Sequence, residues 1–251
     1  MRRDILVAVL FWIALTVVVE VLVAVWDLFP LAAAEEAAVV DDAFRVLMLL
    51  GIPVFSFALV TLVYSVLRFR RSGEPTEDGP PVHSHRGVIA GWFLVTTALT
   101  IAVIFFPGVT GLLEVRESGD REPDLVVQVQ GSQWVWLNTY PQYGVLSVTE
   151  LVLPVGKTIR FDVTSTDVLH AFWVPAFRMK IDAVRGRVTE SFVTPNEVGS
   201  FGDDPGCPNC DSGFRLQCAE LCGRLHGAMV TPVRVVEPSE FEAWVVQQAP
   251  A

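Results

Sequence analysis

The sequence predicts a membrane-anchored all-β protein: two or three apolar helices at the N-terminus, then a β-sandwich or barrel closed by one helix. Three observations carry that reading. Apolar runs long enough to cross a bilayer are confined to residues 1–115. From about residue 124 the pattern changes to short alternating stretches punctuated by Pro and Gly. The tail "PSEFEAWVVQQ" returns to a helical pattern, with Ser239 as its expected N-cap.

The apolar runs cover residues 5–29, 44–67 and 88–113. A helix needs about 20 apolar residues to span the hydrocarbon core, and buried helices of soluble proteins seldom stay apolar all round for so long. The first run has a rival reading as a signal peptide cut near "LAAAEEA". Its length exceeds the roughly 7–15 residues of a signal core, so a retained helix is expected. Arg2, Arg3 and "RFRR" (68–71) flank the runs on one side, and "EEAAVVDD" lies on the other. The positive-inside rule then puts the arginines in the cytoplasm and everything after residue 113 outside. Residues 1–115 are therefore assigned to the anchor and 116–251 to an extracytoplasmic domain. A net charge of −10 argues against nucleic acid as a partner, because phosphate contacts need clustered cations. It suits a basic protein partner better.

In the outer domain "DLVVQVQGSQWVWLNTY", "ELVLPV", "KTIRFDVTS", "VTESFVT" and "MVTPVRVVE" alternate apolar and polar residues, as half-buried strands do. Many short strands with regular turn signals indicate a sandwich or barrel, and an all-β domain of this size fits the cupredoxin class. Strand pattern alone does not separate that class from other sandwiches.

Chemistry concentrates in "QCAELCGRLHGAM" (217–229). Cys218 and Cys222 are four residues apart, His226 follows four later and Met229 three beyond that. Thiolate, imidazole and thioether together suit copper better than magnesium or calcium, and two bridging thiolates could hold two coppers that share one electron. Other readings stay open on spacing alone: a Cys218–Cys222 disulfide, a mononuclear copper site, or zinc on Cys207, Cys210, Cys218, Cys222 and His226. The chain has four histidines, two of them in the cytoplasmic loop. That leaves His170, in "STDVLHAFWVPAF", as a second imidazole for the site.

"DVLHAFWVP" followed by "CAELCGRLHGAM" resembles the CuA domain of cytochrome c oxidase subunit II. The likeness extends to "GSQWVWLNTY" and to the two preceding spans. It implies a cupredoxin-like domain in which Cys218 and Cys222 bridge two coppers. His170 and Met229 would complete one metal, His226 and the carbonyl of Glu220 the other. The Glu220 carboxylate would face a magnesium ion at the boundary with the catalytic subunit. Trp134 would take the family's position for electron entry, although alternation puts Trp134 and Trp136 on one face. The resemblance further implies a bacterial, multi-pass plasma-membrane protein. Its partners would be a catalytic haem–copper subunit, other oxidase subunits, and cytochrome c or another small redox protein. Electrons would pass through this chain, and oxygen would be reduced in the partner. A nitric oxide reductase of the same plan, or a free-standing membrane-anchored copper protein, are the alternatives.

The sequence also departs from that family. Ile89 stands where a glutamate commonly feeds a proton channel, with His83 and His85 nearby. A first helix precedes the usual two. "CPNC" (207–210) has no counterpart; lying outside the membrane, Cys207 and Cys210 are expected to pair as a disulfide.

Overall fold

The computed structural model describes residues 2–26, 28–70, 73, 84–202 and 213–248. It forms two compact units, one of Met1–Leu28 with Asp42–Leu112 and one of Phe29–Asp41 with Leu113–Ala251. His83, Cys207 and Cys210, and the expected Cys207–Cys210 disulfide, fall outside the described residues.

Among the described residues, three helices are long and apolar enough to cross a membrane. The first is α1 (Arg2–Val25). At 1.5 Å per residue its 24 residues reach about 36 Å, more than the ~30 Å hydrocarbon core. Next is α2 (Glu35–Arg68), which starts earlier than the apolar run because Glu35 and Glu36 favour its positive N-terminal end. Last is α3 (Arg86–Val103), whose N-cap is His85, with Val88 N–H donating to Nδ1 at 3.2 Å. Its helical path breaks at Phe106 (φ −136°, ψ 121°), since the residue before Pro107 is pushed away from helical geometry. It resumes as α4 (Thr110–Gly119). Within the helical unit the Trp12 indole donates to Pro53 O at 2.8 Å, and Arg68 pairs with Asp4 at 3.0 Å.

The β unit holds two sheets. One has the order β3-β2-β1-β5-β8, made of β1 (Leu125–Ser132), β2 (Val135–Tyr140), β3 (Val145–Ser147), β5 (Ile159–Ser165) and β8 (Thr189–Val193). The other has the order β4-β11-β10-β6-β7. Its strands are β4 (Leu151–Pro154), β6 (His170–Val174), β7 (Met179–Ala183), β10 (Arg215–Cys218) and β11 (Val230–Val236), with β9 (Gly199–Ser200) on β11. Alternation drives the layering: β5 buries every second residue, and Phe161 meets Phe172 of the facing sheet with ring centres 5.0 Å apart. Trp136, Tyr140, Phe177 and Phe214 fill the same core. The closing helix α5 (Pro238–Gln248) packs Trp244 against Tyr140 at 5.2 Å. It begins one residue before Ser239, so Pro238 takes the first helical position and Glu237, not Ser239, precedes it. The order of apolar helices, sandwich and final helix is the one the sequence predicts. "DLVVQVQGSQWVWLNTY", however, is not one strand. It folds back at Gln133–Trp134 so that Ser132 pairs with Val135.

Patterning groups the stretch 29–41 with the anchor, but its contacts are with the β unit. Ala33, Ala34 and Ala37 are small enough to be fully buried there. Ala33 N–H donates to Ala176 O, Glu35 N–H to Thr194 O, and Asn196 N–H to Ala33 O. Arg178, in a left-handed conformation (φ 54°), fastens the segment. Its guanidinium grips both oxygens of Asp41 at 2.7 and 2.9 Å and reaches the carbonyls of Pro30, Leu31 and Pro175. Both side chains of the pair are nearly buried, and breaking such a pair by removing one partner costs about 3–5 kcal/mol. Arg178→Ala should therefore lower the denaturation midpoint and speed amide exchange at Ala33 and Glu35. Arg178→Lys should rescue only part of this, because an ammonium cannot make the two-pronged contact. Unchanged exchange in both variants would show that the apolar packing alone holds the segment.

Candidate metal centre

The candidate ligands arrive from neighbouring strands and one loop. His170 opens β6, Cys218 ends β10 beside it with Cys218 paired to Phe172, and Met229 directly precedes β11. Between the last two runs the loop 219–229. Ala171 O and Met229 O accept from Ala219 N–H and Cys218 N–H, tying both ends of the loop to the sheet. The single-turn helix His226–Ala228 then turns His226 back toward Cys222.

All six candidate ligand residues converge. The Cys218 and Cys222 sulfurs lie 3.8 Å apart, far beyond a disulfide bond of about 2.05 Å, and both thiols are free. Cys218 Sγ is 3.8 Å from His170 Nδ1 and 3.1 Å from the Glu220 carbonyl. Cys222 Sγ is 3.6 Å from His226 Nδ1 and 3.8 Å from Met229 Sδ. His170, Cys218 and Cys222 bring three metal-ligating atoms within 4.8 Å of one another. Burial, then the neighbouring Cys218 sulfur, push the Cys222 thiol up to about 11. Metal-free Cys222 is thus held as a neutral thiol, and a metal binding there must displace its proton.

Sequence reading misses Asp167 and the part played by Gln133. Asp167 Oδ1 lies 2.9 Å from His170 Nε2, which fixes the ring with its other nitrogen, Nδ1, toward the sulfurs. Burial opposes the Asp167 charge, but the Gln133 amide, the His170 ring and the Val168 amide outweigh it and hold the carboxyl down at about 2. The Gln133 side chain donates to Cys222 O at 2.7 Å, pinning the ligand loop to the β1–β2 turn. The available signal for Asp167 is an acid three residues before a histidine, too common to single out.

Two close approaches explain glycines in the motifs. A methyl group on Gly131 would come within 3.0 Å of Trp136 and 3.2 Å of the His170 ring. One on Gly223 (φ +118°) would meet Gln133 Nε2 at 2.9 Å and Trp134 Cζ2 at 3.3 Å. The two tryptophans are now distinguishable. Trp136 is fully buried, edge-on to His170 with ring centres 5.9 Å apart. Trp134 is half-buried at the tip of the β1–β2 turn and lies over Gly223, next to Cys222.

The family described as "Cytochrome C oxidase subunit II, periplasmic domain" matches residues 142–236, a stretch that contains every candidate ligand. Cytochrome c oxidase subunit 2 of Thermostichus vulcanus is 30% identical over 292 residues, covering 93% of this chain and 84% of the relative. The protein of the same name from Synechocystis is 28% identical over 283 residues, covering 93% and 81%. Among solved structures, the periplasmic domain of subunit II of cytochrome oxidase from Bradyrhizobium japonicum is 35% identical. It covers 51% of this chain and 95% of that domain, with a TM-score of 0.44.

Proposed function

Since the chain belongs to the cytochrome c oxidase subunit II family, we propose that its β unit holds a dinuclear copper centre that relays electrons into a haem–copper oxidase. Cys218 and Cys222 would hold both metals, with His170 and Met229 completing one and His226 with the Glu220 carbonyl the other. The observation that carries this reading is two free thiols 3.8 Å apart, each with an imidazole nitrogen within 3.8 Å. Two thiolates, two imidazoles, a thioether and one carbonyl make a donor set that fits copper and leaves magnesium or calcium poorly served. Bound there, a copper pair would take up and release one shared electron with little change of geometry.

The chain's own residues prepare the site. Asp167 holds His170 in one tautomer, and Gln133 fixes the Cys222 carbonyl. The burial of His170, Cys218, Cys222 and Met229 excludes water from the sulfurs. Glu220 uses its carbonyl toward Cys218, which frees its half-exposed carboxylate for a magnesium ion at the boundary with the catalytic subunit. Residues 116–251 act outside the membrane and residues 1–115 supply the anchor, apart from the docked stretch 29–41. Electrons come from cytochrome c or a similar small protein through Trp134 and leave for a haem of the catalytic subunit, where oxygen is reduced.

The full-length chain in detergent, loaded with copper, should bind two ions and turn purple. Its electron paramagnetic resonance should carry more hyperfine lines than one copper nucleus can produce. A single-copper spectrum, or zinc displacing copper at equilibrium, would overturn the assignment.

A further inference from the structure

Within the helical unit α1 and α2 are clasped at two levels, and an apolar groove runs beside the clasps. At the arginine-rich end Asp4 accepts from Arg68 Nε at 3.0 Å and from the Tyr64 hydroxyl at 3.2 Å. Deeper in, Trp12 donates to Pro53 O and meets Phe57 edge-on, with ring centres 5.6 Å apart. The groove has a volume of about 650 Å³, with Phe11 and Leu15 on one wall and Leu59, Val63 and Leu67 on the other. Among the described residues that line it, Arg68 is the only charged one, and it stands at one end. From Leu59 to Arg68 the helix rises about 13.5 Å. That is close to half of the ~30 Å hydrocarbon core, so the groove is one leaflet deep.

We infer that this groove seats one anionic phospholipid of the cytoplasmic leaflet, with an acyl chain along residues 59–67 and the phosphate at Arg68. Asp4 engages the Nε of Arg68, and 59% of the Arg68 side chain stays exposed. Its terminal nitrogens can therefore meet a phosphate in the forked geometry that guanidinium favours. Arg2 and Arg3 start α1, and Arg70 follows α2 at the same end. Asp4 is the one carboxylate set against these arginines among the described residues there. The positive-inside rule makes this end cytoplasmic, where basic pockets between membrane helices attract anionic headgroups. Depth argues against a protein occupant. A partner's membrane helix runs through both leaflets, whereas the lining stops at Leu15 and Leu59. A lipid chain below its headgroup has the length and polarity of the groove, and it needs no role in electron transfer.

The test photolabels the full-length chain in phosphatidylcholine nanodiscs, using phosphatidylglycerol that carries a diazirine on its acyl chain. Adducts mapped by mass spectrometry should concentrate on residues 59–67 and around Phe11. The same diazirine on phosphatidylcholine should label these positions about fivefold less, the effect of one basic residue at an anionic surface. Arg68→Gln should bring phosphatidylglycerol down to that lower level, whereas Arg68→Lys should keep most of the preference. Val63→Phe should clear the adducts of both lipids by filling the groove without touching the charge. Equal labelling by the two lipids in the unaltered chain would overturn the headgroup contact, and that comparison needs no variant to fold. A preference that survives Arg68→Gln would overturn it too. Labelling repeated on the intact oxidase should give the same adducts. Their loss there would show that a partner subunit covers the groove, and would overturn the lipid site.

Discussion

Cys218→Ser should abolish the two-copper centre outright, with neither metal retained in its native form. The Cys218 sulfur is the hub of the cluster, within 3.8 Å of His170 Nδ1 and of Cys222 Sγ and 3.1 Å from the Glu220 carbonyl. On the proposed assignment Cys218 would serve both metals, so its loss is not shared out as the loss of one terminal ligand would be. A serine hydroxyl is a hard donor that stays protonated at neutral pH and cannot replace a thiolate on copper. The substitution is nearly isosteric, so circular dichroism should remain that of the folded chain while copper per chain falls and the purple absorption disappears. Met229→Leu is the contrast. It removes a thioether 3.8 Å from Cys222 but keeps the volume of a fully buried residue. Copper should remain and its potential should rise, because a weak axial donor tunes a copper site more than it holds the metal. Two coppers retained in Cys218→Ser would show that the thiols do not bridge.

The gathering of these residues was legible in the sequence, because covalent spacing does the work. Cys218, Cys222, His226 and Met229 fall in one stretch, and a loop fixed at both ends to adjacent strands has little choice but to gather them. His170 lies far off in sequence, and the scarcity of histidine and the family likeness of "DVLHAFWVP" pointed to it. Asp167 was not legible, since its role depends on β6 crossing beside the β1–β2 turn, a tertiary fact. The docking of residues 29–41 was invisible for a similar reason. Nothing local in "LAAAEEAAVVDD" tells an alanine meant for lipid from one meant for the gap beside Pro195. The tryptophans failed for a different cause. Alternation assumes an unbroken strand, and the chain turns between Ser132 and Val135. Trp134 is therefore outside the pattern that correctly buries Trp136, Asn138 and Tyr140 on one face.

That turn underlies the second large effect: Trp134→Gln should slow electron uptake from a soluble donor by orders of magnitude, while copper content and the shared-electron spectrum stay normal. Electron transfer between sites falls off steeply with each added ångström of gap, so an aromatic ring bridging surface and metal ligand is worth far more than its packing. Trp134 is the ring so placed. It is half-exposed at the turn and stacked over Gly223, one peptide from Cys222. Trp136 is fully buried against His170, beyond the reach of a donor, and its loss should appear as lost packing. A glutamine at 134 keeps the chain's hydrogen bonds but opens a gap where the indole was. Stopped-flow reduction of the intact complex by its donor would measure the change, with electron transfer onward to the catalytic subunit as the internal control. Leu221, next to Cys222 in sequence, is 78% exposed, and Val168, Leu169 and Leu225 are also uncovered. The net charge of −10 would steer a basic donor from a distance. Salt should then slow association, since exposed charges are screened beyond roughly 8–10 Å, without restoring or removing the Trp134 effect. Normal uptake in Trp134→Gln would move the point where electrons enter to another part of this surface.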